Sequence, residues 1–279
     1  MIKRKILNKK INLSKYTTIK VGGITEYFAE PSNINEFCDL IKWSYLNNQK
    51  CRIIGAGSNL LINNIFLKGL TICTKKMRTL RIDSYSGIIE AETGVMLPTL
   101  SNLLAKNGLQ GGEWAVGIPG TLGGAIYMNA GSGNLSLADN LISVNAINTT
   151  TLERLVITKN EINFKYRFSR FQENDLLITS AKLHFKPKGN VFQLIQTTKN
   201  NLKTKTEKQP YNLPSFGSIF KNPENNSAGK LIDQLGLKGF KIGGAEISKI
   251  HANFIVNNSS ASSKDIFELI TVIQQKVLQ

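Results

Sequence analysis

Apolar and polar positions along the chain predict a mixed α and β fold. Residues 25–30 alternate and predict a strand. Pro31 and Ser32 then open a helix in which Ile34, Phe37, Leu40 and Ile41 recur at helical spacing to about Asn48. The short apolar run 51–54 predicts a second strand, so this region reads as a β-α-β unit ending in Gly55-Ala56-Gly57-Ser58-Asn59. Further strands are expected at 70–74, 79–83 and 87–92. Leu97, Leu100, Leu103 and Leu104 predict another helix, stopped by Gly108.

Strand-like runs follow at 141–148, 152–157 and 176–185, until Pro187-Lys188-Gly189 breaks the pattern and marks an expected domain boundary. Beyond it, 191–208 predicts a polar helix, and Ser227 can cap a short one that stops at Gly236. Ser262 or Ser263 can cap a last helix with Ile266, Leu269, Ile270, Ile273 and Val277 on one face.

Composition narrows the classes. With 279 residues, 41% of them hydrophobic, the chain can bury a sizeable core in one large domain or two. No apolar run reaches the roughly 18 residues that span a bilayer, so no membrane association is expected. The basic start Met1-Ile2-Lys3-Arg4-Lys5-Ile6-Leu7 lacks the apolar core of a secretory signal. Cys38, Cys51 and Cys73 are far apart and lie among apolar residues, which predicts reduced core thiols rather than a disulfide framework. With only His184 and His251 as histidines, no metal site is expected. The net charge of +16 permits nucleic-acid binding, but no basic-aromatic interleaving accompanies it. A solvated basic surface that draws in phosphorylated small molecules is favoured, and no nucleic-acid partner is expected.

Seven of the 23 glycines fall between Gly111 and Gly131. Glycine leaves no side chain between backbone N–H groups and a ligand, and such turns can hold a diphosphate. The usual nucleotide motifs do not fit. Leu60 stands where a dinucleotide fingerprint needs its third glycine, and no Gly-Lys-Ser/Thr follows either loop. Each loop alone could be a structural turn; the two together favour a bound diphosphate. Elsewhere, Tyr166-Arg167-Phe168-Ser169 offers a guanidinium able to grip a carboxylate. Gly217-Ser218-Ile219-Phe220-Lys221 sets a hydroxyl near an amine, where it could deliver a proton to a strongly basic carbanion. A turn serine and a surface ion-pair arginine explain the same residues equally well on chemistry alone.

Six segments occur in one order: Tyr16-Thr17-Thr18-Ile19-Lys20-Val21-Gly22-Gly23, Gly55-Ala56-Gly57-Ser58-Asn59-Leu60-Leu61-Ile62, Gly117-Ile118-Pro119-Gly120-Thr121-Leu122-Gly123-Gly124-Ala125, Tyr166-Arg167-Phe168-Ser169, Gly217-Ser218-Ile219-Phe220-Lys221-Asn222-Pro223 and His251-Ala252-Asn253-Phe254-Ile255-Val256-Asn257. From about Tyr16 onward the series resembles the UDP-N-acetylenolpyruvoylglucosamine reductase (UDP-N-acetylmuramate dehydrogenase) family. The short connection from Ser169 to Ser180 resembles the branch without an extra substrate-capping loop.

The resemblance implies an α+β fold: an FAD-binding domain of the vanillyl-alcohol-oxidase (PCMH) type at 16–187, in two subdomains, after a basic extension at 1–15. A C-terminal α+β substrate domain follows at 188–279. It implies FAD as cofactor, NADPH as reductant and the enolpyruvyl ether of a UDP-sugar as substrate, in peptidoglycan precursor synthesis. The cytoplasm is the expected place, or a plastid stroma if the chain is organelle-encoded, and a monomer the expected state. Gly55, Ala56, Gly57, Ser58, Asn59 and Leu60, with Gly117, Pro119, Gly120, Thr121, Gly123, Gly124 and Ala125, would hold the cofactor. Ser218 would protonate the substrate carbon and Arg167 bind its carboxylate, both as catalytic residues, while Tyr166, Lys221, Asn222 and His251 would help bind substrate. A packed structural role for His251 stays open.

Family members usually continue into a strand with a Leu-Glu-x-Glu-Val pattern, whereas this sequence stops at Val277-Leu278-Gln279. Reduced turnover with FAD binding kept is therefore expected. A degenerate relative that binds flavin or UDP-sugar with little turnover, and a different flavin oxidoreductase on the same fold, are the competing readings.

Overall fold

The computed structural model describes residues 7–63, 65–173 and 175–279. Lys3, Arg4 and Lys5, at the head of the expected basic extension, lie outside them. The chain divides into two compact units. The first takes the chain up to Lys10, Glu26–Ala56 and Lys68–Lys203; the second takes Ile11–Thr25, Gly57–Leu67 and Thr204–Gln279.

Strands β1 (Leu7–Asn12) and β2 (Ile24–Ala29), helix α1 (Ile34–Leu46) and strands β3 (Cys51–Ile54) and β4 (Phe66–Cys73) come first, with most of their residues in the first unit. The sheet order is β1-β2-β4-β3, with β3 and β4 parallel. Asn33 starts α1 by accepting the Glu36 N–H at 3.0 Å, and the Glu36 carboxylate accepts the Ser32 N–H at 2.7 Å. The helix buries Phe37, Leu40 and Ile41 against Leu70, Ile72 and Met77. Each large side chain removed from water there is worth about 1.5–3 kcal/mol. The strand β1 was not expected, because Leu-Asn-Lys-Lys-Ile-Asn shows four polar positions and only Leu7 and Ile11 are apolar.

Next come β5 (Leu80–Asp83), β6 (Ile88–Glu92), α2 (Leu97–Lys106), α3 (Leu122–Tyr127), β7 (Gly131–Ser132), β8 (Leu135–Ser136), α4 (Leu137–Asn140), β9 (Leu141–Asn148), β10 (Arg154–Thr158) and β11 (Leu176–His184). An antiparallel sheet runs β10-β9-β11-β6-β5. Its inward positions Ile89, Ala91, Val144, Ala181 and Leu183 pack with Leu97, Leu100 and Leu104 of α2. The strand expected to begin at Leu152 begins at Arg154. Leu152 holds φ +62, and the Asn148 Oδ1 accepts the N–H groups of Thr150 and Thr151, so a turn occupies this stretch. Helix α5 (Val191–Lys208), which belongs to this unit as far as Lys203, has only Leu194 and Thr198 buried.

In the second unit, β12 (Ser215–Ser218), β13 (Lys241–Ile242), β14 (Ala245–Ile247) and β15 (Phe254–Asn257) form a sheet in the order β12-β15-β14-β13. Helices α6 (Ala228–Gln234) and α7 (Ser263–Leu278) complete it. A reciprocal cap starts α7: Ser262 Oγ accepts the Asp265 N–H at 3.1 Å, and Asp265 accepts the Ser262 N–H at 2.9 Å. Ile266, Leu269 and Ile273 then pack on Ile247 and Ile255. Val277, expected on that face, is exposed.

The three thiols are unpaired. Cys73 is fully buried, whereas Cys38 and Cys51 are half-buried, so the expectation of three core thiols holds for one of them. Burial pushes the Cys51 thiol up to about 11 and raises Cys73, which keeps both protonated and unreactive. Among the described residues, no helix is long and apolar enough to cross a membrane.

Candidate functional site

The two glycine loops differ in how they are built. Gly55 follows β3 within the first unit, and a Cβ there would collide with the Thr121 hydroxyl. Only glycine lets the end of β3 come this close to the second glycine segment. In the second unit, Gly57 sits at φ +64, where a Cβ would also collide with the Tyr16 carbonyl oxygen. The Thr18 N–H donates to Gly57 O at 3.1 Å, and the Thr18 hydroxyl donates to Ser215 O at 2.6 Å. Thr18 thus ties the loop to β12.

A phosphate-bearing group needs N–H donors that the protein has not already used. Among the described residues, the N–H groups of Gly57, Ser58 and Asn59 find no protein acceptor. The segment Gly117 to Ala125 is more committed. Thr121 caps α3, and the N–H groups of Leu122 and Gly123 donate to Val95 O and Thr93 O at 2.8 and 2.9 Å. Ala125 donates to Thr121 O at 2.9 Å, and Gly124 reaches the Thr121 hydroxyl at 3.4 Å. Gly120 and Thr121 keep N–H groups without a protein acceptor among the described residues. Each loop therefore fits an anionic oxygen, as a cofactor diphosphate requires. The sequence did not show the helix α3 inside this segment: it has six residues, two of them glycine.

Tyr166 and Arg167 form the tip of a two-residue hairpin in the first unit. Lys165 and Phe168 exchange backbone bonds of 3.2 and 3.1 Å across it. Arg167 holds φ +54, at a turn position that ordinarily takes glycine. Its guanidinium donates to Asn129 O at 3.3 Å and Gly131 O at 3.0 Å and lies 5.0 Å from the centre of the Tyr166 ring. Gln172 Nε2 donates to Arg167 O at 3.3 Å and to Tyr127 O at 2.7 Å, and the buried Ser169 hydroxyl donates to Tyr127 O at 2.8 Å. The hairpin is thus bolted to the end of α3. The unit also contains a cavity of about 310 Å³, lined by Ile34, Glu92, Asn145, Arg154, Thr179 and Ser180 among others, which no sequence motif marked.

The second unit gathers Ser218, Lys221, Asn222 and His251 around the end of β12 and the start of β15. Gly217 at φ +82 bends β12 where its register against β15 shifts, and Ser218 is left exposed. Asn253, which is buried, grips the next peptides. Its Oδ1 accepts the Phe220 N–H at 2.9 Å, its Nδ2 donates to Phe220 O at 2.9 Å, and its carbonyl accepts the Ile219 N–H at 3.0 Å. The Asn222 side chain accepts the Ala228 N–H at 3.1 Å and so caps α6, while Lys221 is exposed.

His251 is half-buried with its ring edge-on to Phe254, centroids 4.9 Å apart. Its Nδ1 accepts the Asn253 N–H at 3.2 Å, and burial, the largest influence, lowers its pKa. The ring is therefore held neutral at Nδ1 and supports Asn253. Among the described residues, no group of three or more His, Cys, Asp or Glu could hold a metal ion.

A model of the UDP-N-acetylenolpyruvoylglucosamine reductase C-terminal domain matches residues 209–279, and an FAD binding domain model matches residues 25–151. A UDP-N-acetylenolpyruvoylglucosamine reductase of Prochlorococcus marinus subsp. pastoris is 73% identical over 97% of this chain and 92% of its own. Another, from strain MIT 9313 of that species, is 48% identical over 96% of this chain and 87% of its own. The crystal structure of the Thermus caldophilus UDP-N-acetylenolpyruvylglucosamine reductase superposes with a TM-score of 0.83 at 32% identity, covering 96% of this chain and 94% of that one.

Proposed function

The chain belongs to the UDP-N-acetylenolpyruvoylglucosamine reductase family, and on that premise we propose that it is an FAD-containing, NADPH-dependent oxidoreductase that converts UDP-N-acetyl-3-O-(1-carboxyvinyl)-glucosamine to UDP-N-acetylmuramate. The observation that carries this reading is 73% identity to a reductase of that name across 97% of the chain. The same breadth of similarity disfavours a degenerate relative that binds without turnover.

The unused N–H groups of Gly57, Ser58 and Asn59, and of Gly120 and Thr121, suit the FAD diphosphate. FAD held there would supply the hydride chemistry, with electrons from NADPH, by which hydrogen is added at the terminal carbon of the enolpyruvyl group. Negative charge then develops beside the substrate carboxylate. Arg167 grips that carboxylate and stabilises the charge; two of its five N–H groups go to carbonyls, and the others suffice for a two-point grip. Ser218 delivers its hydroxyl proton to the carbon beside the carboxylate. A hydroxyl is a weak acid and serves only against so basic a partner, and its exposure lets solvent restore the proton. Lys221 offers a cation to the UDP phosphates, and Tyr166, Asn222 and His251 each help to bind the substrate.

The product feeds peptidoglycan synthesis, and through it cell shape and division; we place the enzyme in the cytoplasm as a monomer. The test is NADPH oxidation by the purified, FAD-loaded protein with and without the enolpyruvyl UDP-sugar. Substrate-dependent oxidation is expected. Flavin that NADPH reduces but the UDP-sugar fails to reoxidise under anaerobic conditions would overturn the assignment.

A further inference from the structure

Asn129 is a buried polar residue to which neither the motifs nor the reaction assigns a task. It is 7% exposed and holds φ +41. It ends α3: its N–H donates to Ile126 O at 3.1 Å and the Ala130 N–H to Ala125 O at 2.8 Å, the paired bonds of a left-handed helix stop. Glycine would make that stop at lower conformational cost. The asparagine adds an amide that glycine lacks. Its Nδ2 donates to Lys165 O at 3.0 Å, at the base of the Arg167 hairpin, and its Oδ1 accepts the Ala138 N–H at 3.3 Å. Its own carbonyl accepts from Arg167 Nη1 at 3.3 Å. One residue thus holds the hairpin by its side chain and the guanidinium by its backbone.

We propose that Asn129 is a positioning residue for Arg167: it fixes the guanidinium for a two-point grip on the substrate carboxylate and ties that grip to the helix that begins in the cofactor-binding glycine segment. The inference rests on the reading of Arg167 as the carboxylate-binding group. Asn129→Gly keeps the left-handed backbone and removes only the amide. Asn129→Asp keeps the acceptor toward Ala138 but sets an oxygen against Lys165 O.

Three measurements test this. In steady-state kinetics, Asn129→Gly and Asn129→Asp should raise KM for the UDP-sugar roughly tenfold to a hundredfold, the scale of a small misplacement of a binding group. FAD content and the rate of flavin reduction by NADPH without substrate should stay as in the parent. In a double-mutant cycle with Arg167→Lys, the Asn129→Gly penalty should shrink to under about twofold, because the residue acts through Arg167. In protein labelled with ¹⁵N-arginine, the Arg167 Nη–H signals, assigned by their loss in Arg167→Lys, should exchange faster with water in Asn129→Gly. An unchanged Arg167 signal, or flavin reduction and FAD content falling as KM rises, overturns the proposal. An unaltered KM in Arg167→Lys itself refutes instead the carboxylate-binding reading, and the NMR signal still decides whether Asn129 holds the guanidinium. Should Asn129→Gly fail to fold, Asn129→Asp carries the same three readouts.

Discussion

Ser218 and His251 illustrate how little a residue's type says until its bonds are counted. Ser218 is exposed at the end of a strand whose following peptides are clamped, so its hydroxyl is presented rather than buried. Ser218→Ala should lower turnover with the UDP-sugar at least ~100-fold, the lower range for loss of a proton donor. It should leave flavin reduction by NADPH intact. Loss of both half-reactions together would instead mean that Ser218 shapes the fold.

For His251, burial favours the neutral ring and, with the Lys238 charge, lowers the pKa below its ordinary value, against the opposing pulls of a backbone hydrogen bond and of Asp233. A proton on Nδ1 would also displace the Asn253 N–H. The unfolded chain therefore binds that proton more readily than the folded one. The stabilising contribution is present above about pH 6.5 and is lost as pH falls through the folded value. Urea midpoints of the parent and of His251→Gln, measured from pH 8 to 5, should converge toward acid. A constant gap would sink this account.

Asn253 works at the scale of elements, because it joins the end of β12 to the start of β15. Asn253→Ala leaves the Phe220 N–H and carbonyl without their partner and should cost about 1–3 kcal/mol, read as a lower urea midpoint with an unchanged slope. A loss below a few tenths would show that water replaces the clamp. The partners are 33 residues apart, and those of Asn129 and Lys165 are 36 apart, so neither left a local pattern in the sequence. Helices with an apolar face were legible because their periodicity is local, as at Phe37, Leu40 and Ile41 in α1 and Ile266, Leu269 and Ile273 in α7. The second unit's sheet was not: β13 has two residues and β14 three, too few to show alternation. Arg167 was legible as a type of residue, but the left-handed turn that presents it was not, since Tyr-Arg carries no turn chemistry.

At the scale of the whole molecule the feature still without a task is charge. Thirty-five Lys and Arg face nineteen Asp and Glu, and the sequence alone left nucleic acid and small anions as rival explanations. The proposed ligands, FAD, NADPH and a UDP-sugar, all carry phosphates, so a net charge of +16 raises their local concentration at the surface without any added contact. Such steering is long-range, and it fades as the screening length falls from about 30 Å at 0.01 M salt to about 3 Å at 1 M. The kcat/KM for both NADPH and the UDP-sugar should therefore fall several-fold between ~0.01 M and ~0.5 M sodium chloride. The kcat at saturating substrate should move little, because bound ligands are held by short contacts that salt screens weakly. A flat kcat/KM would mean that the basic surface serves something other than substrate capture. A short DNA duplex that inhibits at low salt, and is released with the steep salt dependence of phosphate contacts, would return the rival explanation to first place.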